Sequence, residues 1–215
     1  MTPLPSPLLV VTERSPRHAP EEAAQRLLGT LHVILAAGVR WVWFRERDLP
    51  EERREPLAEA TARVVRAGRG VLTIGGDAAL AARLGADGVH LAGDSTGADL
   101  ARARAFLPDG LLGLSAHGLG DVERAARGGA DYVTLSPIFA SASKPGYGPA
   151  LGLDALRDAT RFGLPILALG GMDPGTIRAS RAAGAAGVAV MGGIMRADDA
   201  HSAARDHLIA AEATA

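Results

Sequence analysis

Short apolar segments alternate with longer amphipathic segments along the whole chain. Each apolar segment is followed by a stretch rich in Ala, Arg, Leu and Glu, such as EEAAQRLLGTLHVILAAG after the first, which is typical of an amphipathic helix. Strands that alternate with helices predict parallel pairing, because a parallel neighbour can be reached only by a crossover. The segments that we interpret as strands are residues 7–12, 41–46, 70–76, 88–93, 111–117, 131–139, 165–171 and 187–193.

The connections that lead into several strands repeat one pattern. LGADGVHL, GGADYVTL and AGAAGVAV each place glycine shortly before a strand, which favours a helix that ends at Gly and a tight turn. Eight such units in about 200 residues predict an α/β protein with a (β/α)8 TIM barrel, and residues 1–215 are expected to form one domain. The alternative is a doubly wound sheet with the last units at its edge, but no linker marks a second domain.

Composition and charge exclude several classes of function. The 215 residues include 47% hydrophobic residues and carry a formal net charge of −1, so we expect no nucleic-acid or anionic membrane surface. The N-terminal stretch MTPLPSPLLVVTERS lacks the basic region of a signal peptide, and no run of about 20 apolar residues is present. We therefore expect a cytoplasmic protein with no membrane partner. The absence of Cys excludes disulfides and thiolate chemistry.

Glycine pairs end the last two predicted strands, at Gly170-Gly171 and Gly192-Gly193. Substrate-binding residues of a barrel lie at the C-terminal strand ends, and loops seven and eight commonly bind phosphate there. Glycine lets backbone N–H groups approach the anion, and a helix N-terminus adds a positive dipole. Asp173 and Pro174 fit the N-cap and first position of the next helix. Glycine pairs also serve simple turns, but two pairs at these ends favour phosphate binding.

An Arg-Glu-Arg sequence ends the second predicted strand. Alternation places Arg45 and Arg47 on one face and Glu46 on the other. An inward pair of guanidinium groups would bind a multiply charged anion, because each can grip phosphate or carboxylate with two hydrogen bonds. For Arg47 the alternative, a solvated charge cluster within RERDLPEERRE, is equally supported.

Three further polar residues are candidates at the predicted mouth. His117 ends the fifth strand, with Ser115 two residues earlier on the same face, and histidine is suited to proton transfer near neutral pH. Lys144 is the single Lys among 23 Lys and Arg residues and lies in a loop of small residues. We predict that it holds an anionic group, the alternative being an ordinary solvated lysine. Acidic and His residues do not converge at ligand spacing, so we predict no metal and no cofactor.

Several of these stretches resemble the thiamine phosphate synthase superfamily, over essentially the whole chain. The motifs are RERD, LGADGVHL, LSAHGLGDVERA, GADYVTLSPIFASASKPGYGPALGL, ILALGGMDP and AAGVAVMGGIM. The resemblance implies that the last two loops bind phosphate and that Lys144 binds an anion.

The chain departs from the synthase pattern at three places. Trp43 stands where the synthases have Gln, and Gly75-Gly76 stands where they have Asn-Asp, whose Asp is a magnesium ligand. After strand four, Ala92-Gly93-Asp94-Ser95 replaces Gly-Gln-x-Asp, so that Asp94 is one place from the second magnesium ligand. The resemblance is therefore closest to the thiazole tautomerase branch, which also lacks the metal carboxylates and has Arg-Glu-Arg, Ser-x-His and GGM.

This resemblance implies an isomerase that converts a carboxythiazole phosphate to its aromatic tautomer without a metal, with His117 as general acid and base. The expected partner is a small-molecule thiazole phosphate, and assembly into a homo-oligomer is left open. Synthase activity is less expected. The alternatives are a divergent thiamine phosphate synthase that uses Asp77 and Asp94 as displaced ligands, and a non-catalytic protein that binds a phosphate ligand.

Overall fold

Eight parallel strands pair in chain order, and the sheet closes because β1 pairs with β8 as well as with β2. The computed structural model describes residues 3–15, 17–140 and 149–213. The predicted (β/α)8 TIM barrel is confirmed. The strands are β1 (Leu8–Val11), β2 (Trp41–Phe44), β3 (Val71–Gly75), β4 (Gly88–Leu91), β5 (Leu111–Ala116), β6 (Tyr132–Leu135), β7 (Ile166–Leu169) and β8 (Gly187–Val190).

Helices surround the barrel and alternate with the strands. No helix in the described ranges is both long enough and apolar enough to cross a membrane. A short 3-10 helix at Thr160–Phe162 follows the sixth helix. The α-helices are α1 (Pro20–Ala36), α2 (Glu51–Ala67), α3 (Ala78–Leu84), α4 (Gly97–Phe106), α5 (Leu119–Arg127), α6 (Gly152–Ala159), α7 (Pro174–Ala182), α8 (Gly192–Met195) and α9 (Ala200–Glu212).

Alternation along each strand divides the core into two layers. Residues such as Val42 and Phe44 point outward and pack beneath the helices in the larger apolar cluster. Residues such as Trp41, Trp43 and Tyr132 point inward and fill the barrel with a second cluster. The interior of the barrel is therefore a packed core, and a substrate site is expected at its mouth.

Most observed strands are shorter than the predicted ones. The apolar run 131–139 yields a strand only over Tyr132–Leu135, because Pro137 has no N–H group for the sheet. Likewise β2 ends at Phe44, and Arg47 N–H bonds to the Arg45 carbonyl at 2.7 Å instead of continuing the ladder. The residues that end the predicted strands therefore lie in the loops of the mouth.

Candidate active site

The loop after β2 separates its charged residues into a buried anchor and two cations at the mouth. Glu46 is buried, and its carboxylate accepts hydrogen bonds from Thr12 Oγ1 at 2.8 Å and Arg14 Nε at 2.7 Å. Burial raises the pKa of Glu46, whereas Thr12 and Arg14 lower it. In the described part of the chain, Arg45 and Arg47 side chains make no hydrogen bond or ion pair. The anchor therefore fixes the loop and leaves both guanidinium groups for a ligand.

The end of β3 is shaped around the indole of Trp43. A Cβ on Gly75 would lie 2.9 Å from both Trp43 Nε1 and the Phe44 carbonyl oxygen, so residue 75 has no room for a side chain. Trp43 Nε1 is buried and has no acceptor among the described residues. Trp43 thus occupies space that a larger residue at position 75 would need.

We expect Gly75→Ala to lower the free energy of unfolding by about 1–3 kcal/mol, because the methyl group would press on an indole and a carbonyl in a packed core. Urea denaturation measures the change. Gly29→Ala is the matched control, since a Cβ on Gly29 meets nothing within 4 Å. Within helix α1 it should stabilise the protein by about 0.5–1 kcal/mol. Equal effects of the two substitutions would contradict the packing argument.

A buried polar cluster lies one layer below the mouth, around His90. Its Nδ1 lies 3.0 Å from Tyr132 Oη, and its Nε2 lies 3.1 Å from Ser115 Oγ and 3.3 Å from Thr134 Oγ1. The His90 ring also stacks on Trp43, with 3.9 Å between ring centroids. Ser115 is therefore placed inside the barrel, where it bonds to His90. The Ser115 hydroxyl thus contacts a residue of the barrel interior.

His117 lies just past β5, exposed at the mouth. Its Nδ1 lies 2.9 Å from the Ser136 carbonyl oxygen, which can only accept, so the neutral ring carries its proton on Nδ1 and a lone pair on Nε2. A Cβ on Gly93 would lie 3.3 Å from His117 Cδ2 and 3.5 Å from Nε2, so the ring edge lies over Gly93. The His117 backbone N–H donates to Asp121 at 2.7 Å, which fixes the start of α5.

Gly170 and Gly171 form a tight turn against the loop after β6. Both have positive φ, +98° and +64°, and a Cβ on Gly171 would lie 2.6 Å from the Ala140 carbonyl oxygen. Their N–H groups have no acceptor within residues 3–15, 17–140 and 149–213. Asp173 is the N-cap of α7, as predicted, and its carboxylate accepts from Gly175 and Thr176. An anion near Gly171 would therefore meet those two glycine N–H groups, because the α7 donors are already used.

The end of β8 contains an arginine that the sequence pattern did not single out. Gly192 and Gly193 begin the short helix α8, whose start has no side-chain cap. A Cβ on Gly192 would collide with the Arg196 guanidinium, so that group lies directly over the glycine. Arg196 also pairs with Glu13, which follows β1. No spacing signal links residues 13 and 196, so only the closed barrel brings them together.

Lys144 lies outside the described residues, so the structure says nothing of its place. The remaining predicted residues occupy two groups. Arg45, Arg47 and His117 lie in the loops after β2 and β5, and the glycine pairs lie after β7 and β8.

Comparison with known proteins identifies the family. The sequence model described as thiamine monophosphate synthase matches residues 8–194. This chain belongs to that family. It is 34% identical over 209 residues to the thiamine-phosphate synthase of Roseiflexus castenholzii, covering 94% of this chain and 89% of the relative. It is 36% identical over 182 residues to that of Chromobacterium violaceum, with coverage of 84% and 86%.

A solved structure agrees in fold. Thiamine phosphate pyrophosphorylase from Pyrococcus furiosus superposes with a TM-score of 0.80 at 22% identity, covering 95% of each chain. This similarity supports the barrel architecture of the family member.

The predictions of a thiazole tautomerase, and of an isomerase, are wrong. Relatives at 32% to 42% identity are named thiamine-phosphate synthase, a transferase, which favours the alternative that the sequence left open. The error came from interpreting two missing carboxylates as a change of reaction. Carboxylates that hold a metal determine how the negative charge of a bound substrate is neutralised. Other cations can neutralise that charge without changing which bond forms.

The residues do not fit the magnesium site that the resemblance implies. In the part of the chain that the structure describes, no three His, Asp or Glu residues come together to hold a metal. Asp77 is the N-cap of α3, where it accepts from Leu80 N–H at 2.8 Å and pairs with Arg54 at 3.2 Å. The Asp77 carboxylate is therefore already used by Leu80 and Arg54. Asp94 alone provides too few oxygen ligands for a divalent cation.

Proposed function

We propose that this protein is a thiamine-phosphate synthase, a transferase that joins a thiazole phosphate to a second precursor and displaces pyrophosphate from it. One observation carries the proposal. Two groups able to receive anions lie on different sides of the mouth, the arginines after β2 and the glycine loops after β7 and β8. In the closed ring β2 is three strands from β7 and two from β8, so both groups open on the same mouth. Two anion sites at one mouth suit a reaction between two phosphorylated substrates.

The glycine side suits the phosphate of the thiazole. The N–H groups of Gly170 and Gly171 have no acceptor among the described residues, and the first N–H groups of α8 have no intrahelical acceptor. The Arg196 guanidinium, which pairs with Glu13, lies over Gly192 beside these donors. Together they would hold one phosphate at a fixed distance from the centre of the mouth. We propose that Lys144 also contacts an anionic group of the substrates.

The arginine side suits the pyrophosphate of the second precursor. Arg45 is half-buried and Arg47 is the more exposed of the two, so both charges are accessible from the mouth. His117 lies over Gly93, and the next residue after Gly93, Asp94, raises the pKa of Arg47. As an imidazolium, His117 can donate from Nε2 to the departing pyrophosphate. Ser115 supports this side of the mouth from below, through its hydrogen bond to His90.

The chemistry then follows from positioning. The thiazole ring nitrogen uses its lone pair to bond to the carbon that carries pyrophosphate, while the carbon–oxygen bond breaks. Pyrophosphate leaves with the electron pair, and the nitrogen becomes the cationic centre of thiamine phosphate. Two anchored phosphates would hold the nitrogen and the carbon close together, which replaces a bimolecular encounter by an intramolecular one. The guanidinium groups stabilise the charge that develops on the leaving group.

The proposal predicts that the purified protein forms thiamine phosphate and pyrophosphate in equal amounts from the two precursors. Mass spectrometry of the product and a coupled pyrophosphate assay measure the two yields. Reactions that lack either precursor are the control. Tight binding of the thiazole phosphate without any product, with and without Mg²⁺, would contradict the proposal.

A further inference from the structure

An excess of positive charge gathers where the loops after β2, β3 and β4 meet. A Cβ on Gly76 would lie 3.8 Å from Arg47 Nε, so this guanidinium lies within van der Waals contact distance of position 76. Partial burial lowers the pKa of Arg47 most, the charges of Arg45 and Arg54 lower it further, and the charge of Asp94 raises it. Three guanidinium groups thus share one small region.

The nearby carboxylates do not balance this charge. Asp77 pairs with Arg54, and Glu46 is buried against Thr12 and Arg14. Only Asp94 acts on Arg47, and no hydrogen bond or ion pair joins them in the described structure. The surplus favours a multiply charged anion, because guanidinium groups bind phosphate oxygens with two parallel hydrogen bonds.

The same region is the place where a divalent cation would have to bind if pyrophosphate were held through a metal. This region has Gly76 where the resemblance implies a carboxylate, and the Arg47 guanidinium lies beside that position. A positive side chain there repels a cation and attracts the anion that the cation would have carried. Arginine is suited to take the place of a metal cation because it stays charged near neutral pH.

We propose that Arg45 and Arg47 bind pyrophosphate directly, in the position a divalent cation would take, so that this protein needs no metal to hold or release it. The proposal rests on the synthase function argued above. When the carbon–oxygen bond breaks, pyrophosphate gains one negative charge with the electron pair. The two guanidinium groups compensate that charge without a metal ion.

Titration of the full chain with inorganic pyrophosphate in a calorimeter tests the inference without any turnover. In buffer with EDTA we expect saturable binding, and Mg²⁺ should leave it unchanged or weaken it by competing for the anion. Arg47→Ala and Arg45→Ala should each weaken binding by about tenfold or more, and Arg47→Lys by less, since lysine keeps the charge and loses the two-bond geometry. Circular dichroism checks that each variant is folded.

Arg157→Ala is the matched control, because Arg157 lies on α6, is exposed and pairs with Asp154. It should bind pyrophosphate like the parent protein. Binding that occurs only with Mg²⁺, no binding in either buffer, or unchanged affinity in both arginine variants would each overturn the inference. A failure of the proposed function looks different, because pyrophosphate would still bind in EDTA while no thiamine phosphate formed under any condition.

Discussion

Replacement of His117 by alanine is expected to lower kcat for thiamine phosphate formation by about 100-fold or more, the usual contribution of a positioned general acid. The Ser136 carbonyl accepts the proton of Nδ1, so a proton exchanged with a substrate would pass through Nε2. Loss of the ring would leave the departing pyrophosphate without a proton donor. KM for the thiazole phosphate should change little, because on the proposed function its phosphate would bind at the glycine loops after β7 and β8.

Two further variants separate chemistry from structure. His117→Asn keeps a polar group but cannot titrate, so it should be as slow as His117→Ala. His201→Ala removes an exposed histidine from helix α9 and should leave kcat unchanged. Steady-state rates at saturating concentrations of both precursors measure all three. An active His117→Asn enzyme would show that the ring positions substrate without transferring a proton, and a fully active His117→Ala enzyme would remove His117 from the mechanism.

The buried His90 is expected to make the protein less stable in mildly acidic buffer. Burial lowers its pKa well below the ordinary value of 6.5, and the charges of Arg47 and Arg45 lower it further. Below pH 6.5, His90 therefore binds a proton in the unfolded chain but not in the folded chain. The free energy of unfolding should fall with decreasing pH, by about 1.4 kcal/mol per unit from this residue, until the folded-state pKa is reached.

Substitution of His90 tests both its packing and its titration. At pH 7.5, His90→Gln should lower the free energy of unfolding by about 3 kcal/mol, because it disturbs the stack on Trp43 and the bonds to Tyr132 and Ser115. The pH dependence below 6.5 should become shallower than that of the parent. Urea denaturation at several pH values measures it, with His201→Gln as the exposed control. A parallel pH dependence in parent and His90→Gln would contradict the assignment.

The sequence identified much of the mouth, because a barrel assigns function to position. Once eight strand–helix units were recognised, the residues after each unit had to lie on one face. Arg45, Arg47, His117 and the glycine pairs were found in this way. Arg196 was not, since it follows a short helix within the last loop and contacts Glu13 only when β8 meets β1. The coupling of Trp43 to Gly75 likewise depends on strand register.

The mistaken tautomerase prediction has a related physical origin. A sequence comparison shows which carboxylates are missing, but it does not show what fills their place. The guanidinium of Arg47 lies beside Gly76, although 29 positions separate them along the chain, as their numbers in the sequence show. On the proposed function, arginines would neutralise the charge that a metal held by the missing carboxylates would otherwise neutralise, and the relatives named thiamine-phosphate synthase favour a transferase.

The hydrophobic pattern of the sequence determined the fold of this protein. A strand-like alternation followed by a helix-like repeat of apolar residues occurs eight times, and a closed (β/α)8 barrel buries the apolar faces of both. Alternation also set which side chains face the barrel interior, where Trp41, Trp43 and Tyr132 pack. The tertiary structure alone decided which charges remain paired. Arg14, Arg54 and Arg196 find carboxylates on other loops, and Arg45 and Arg47 find none in the described structure. Pairing of charges depends on distances between strand ends, and those distances exist only after the barrel closes.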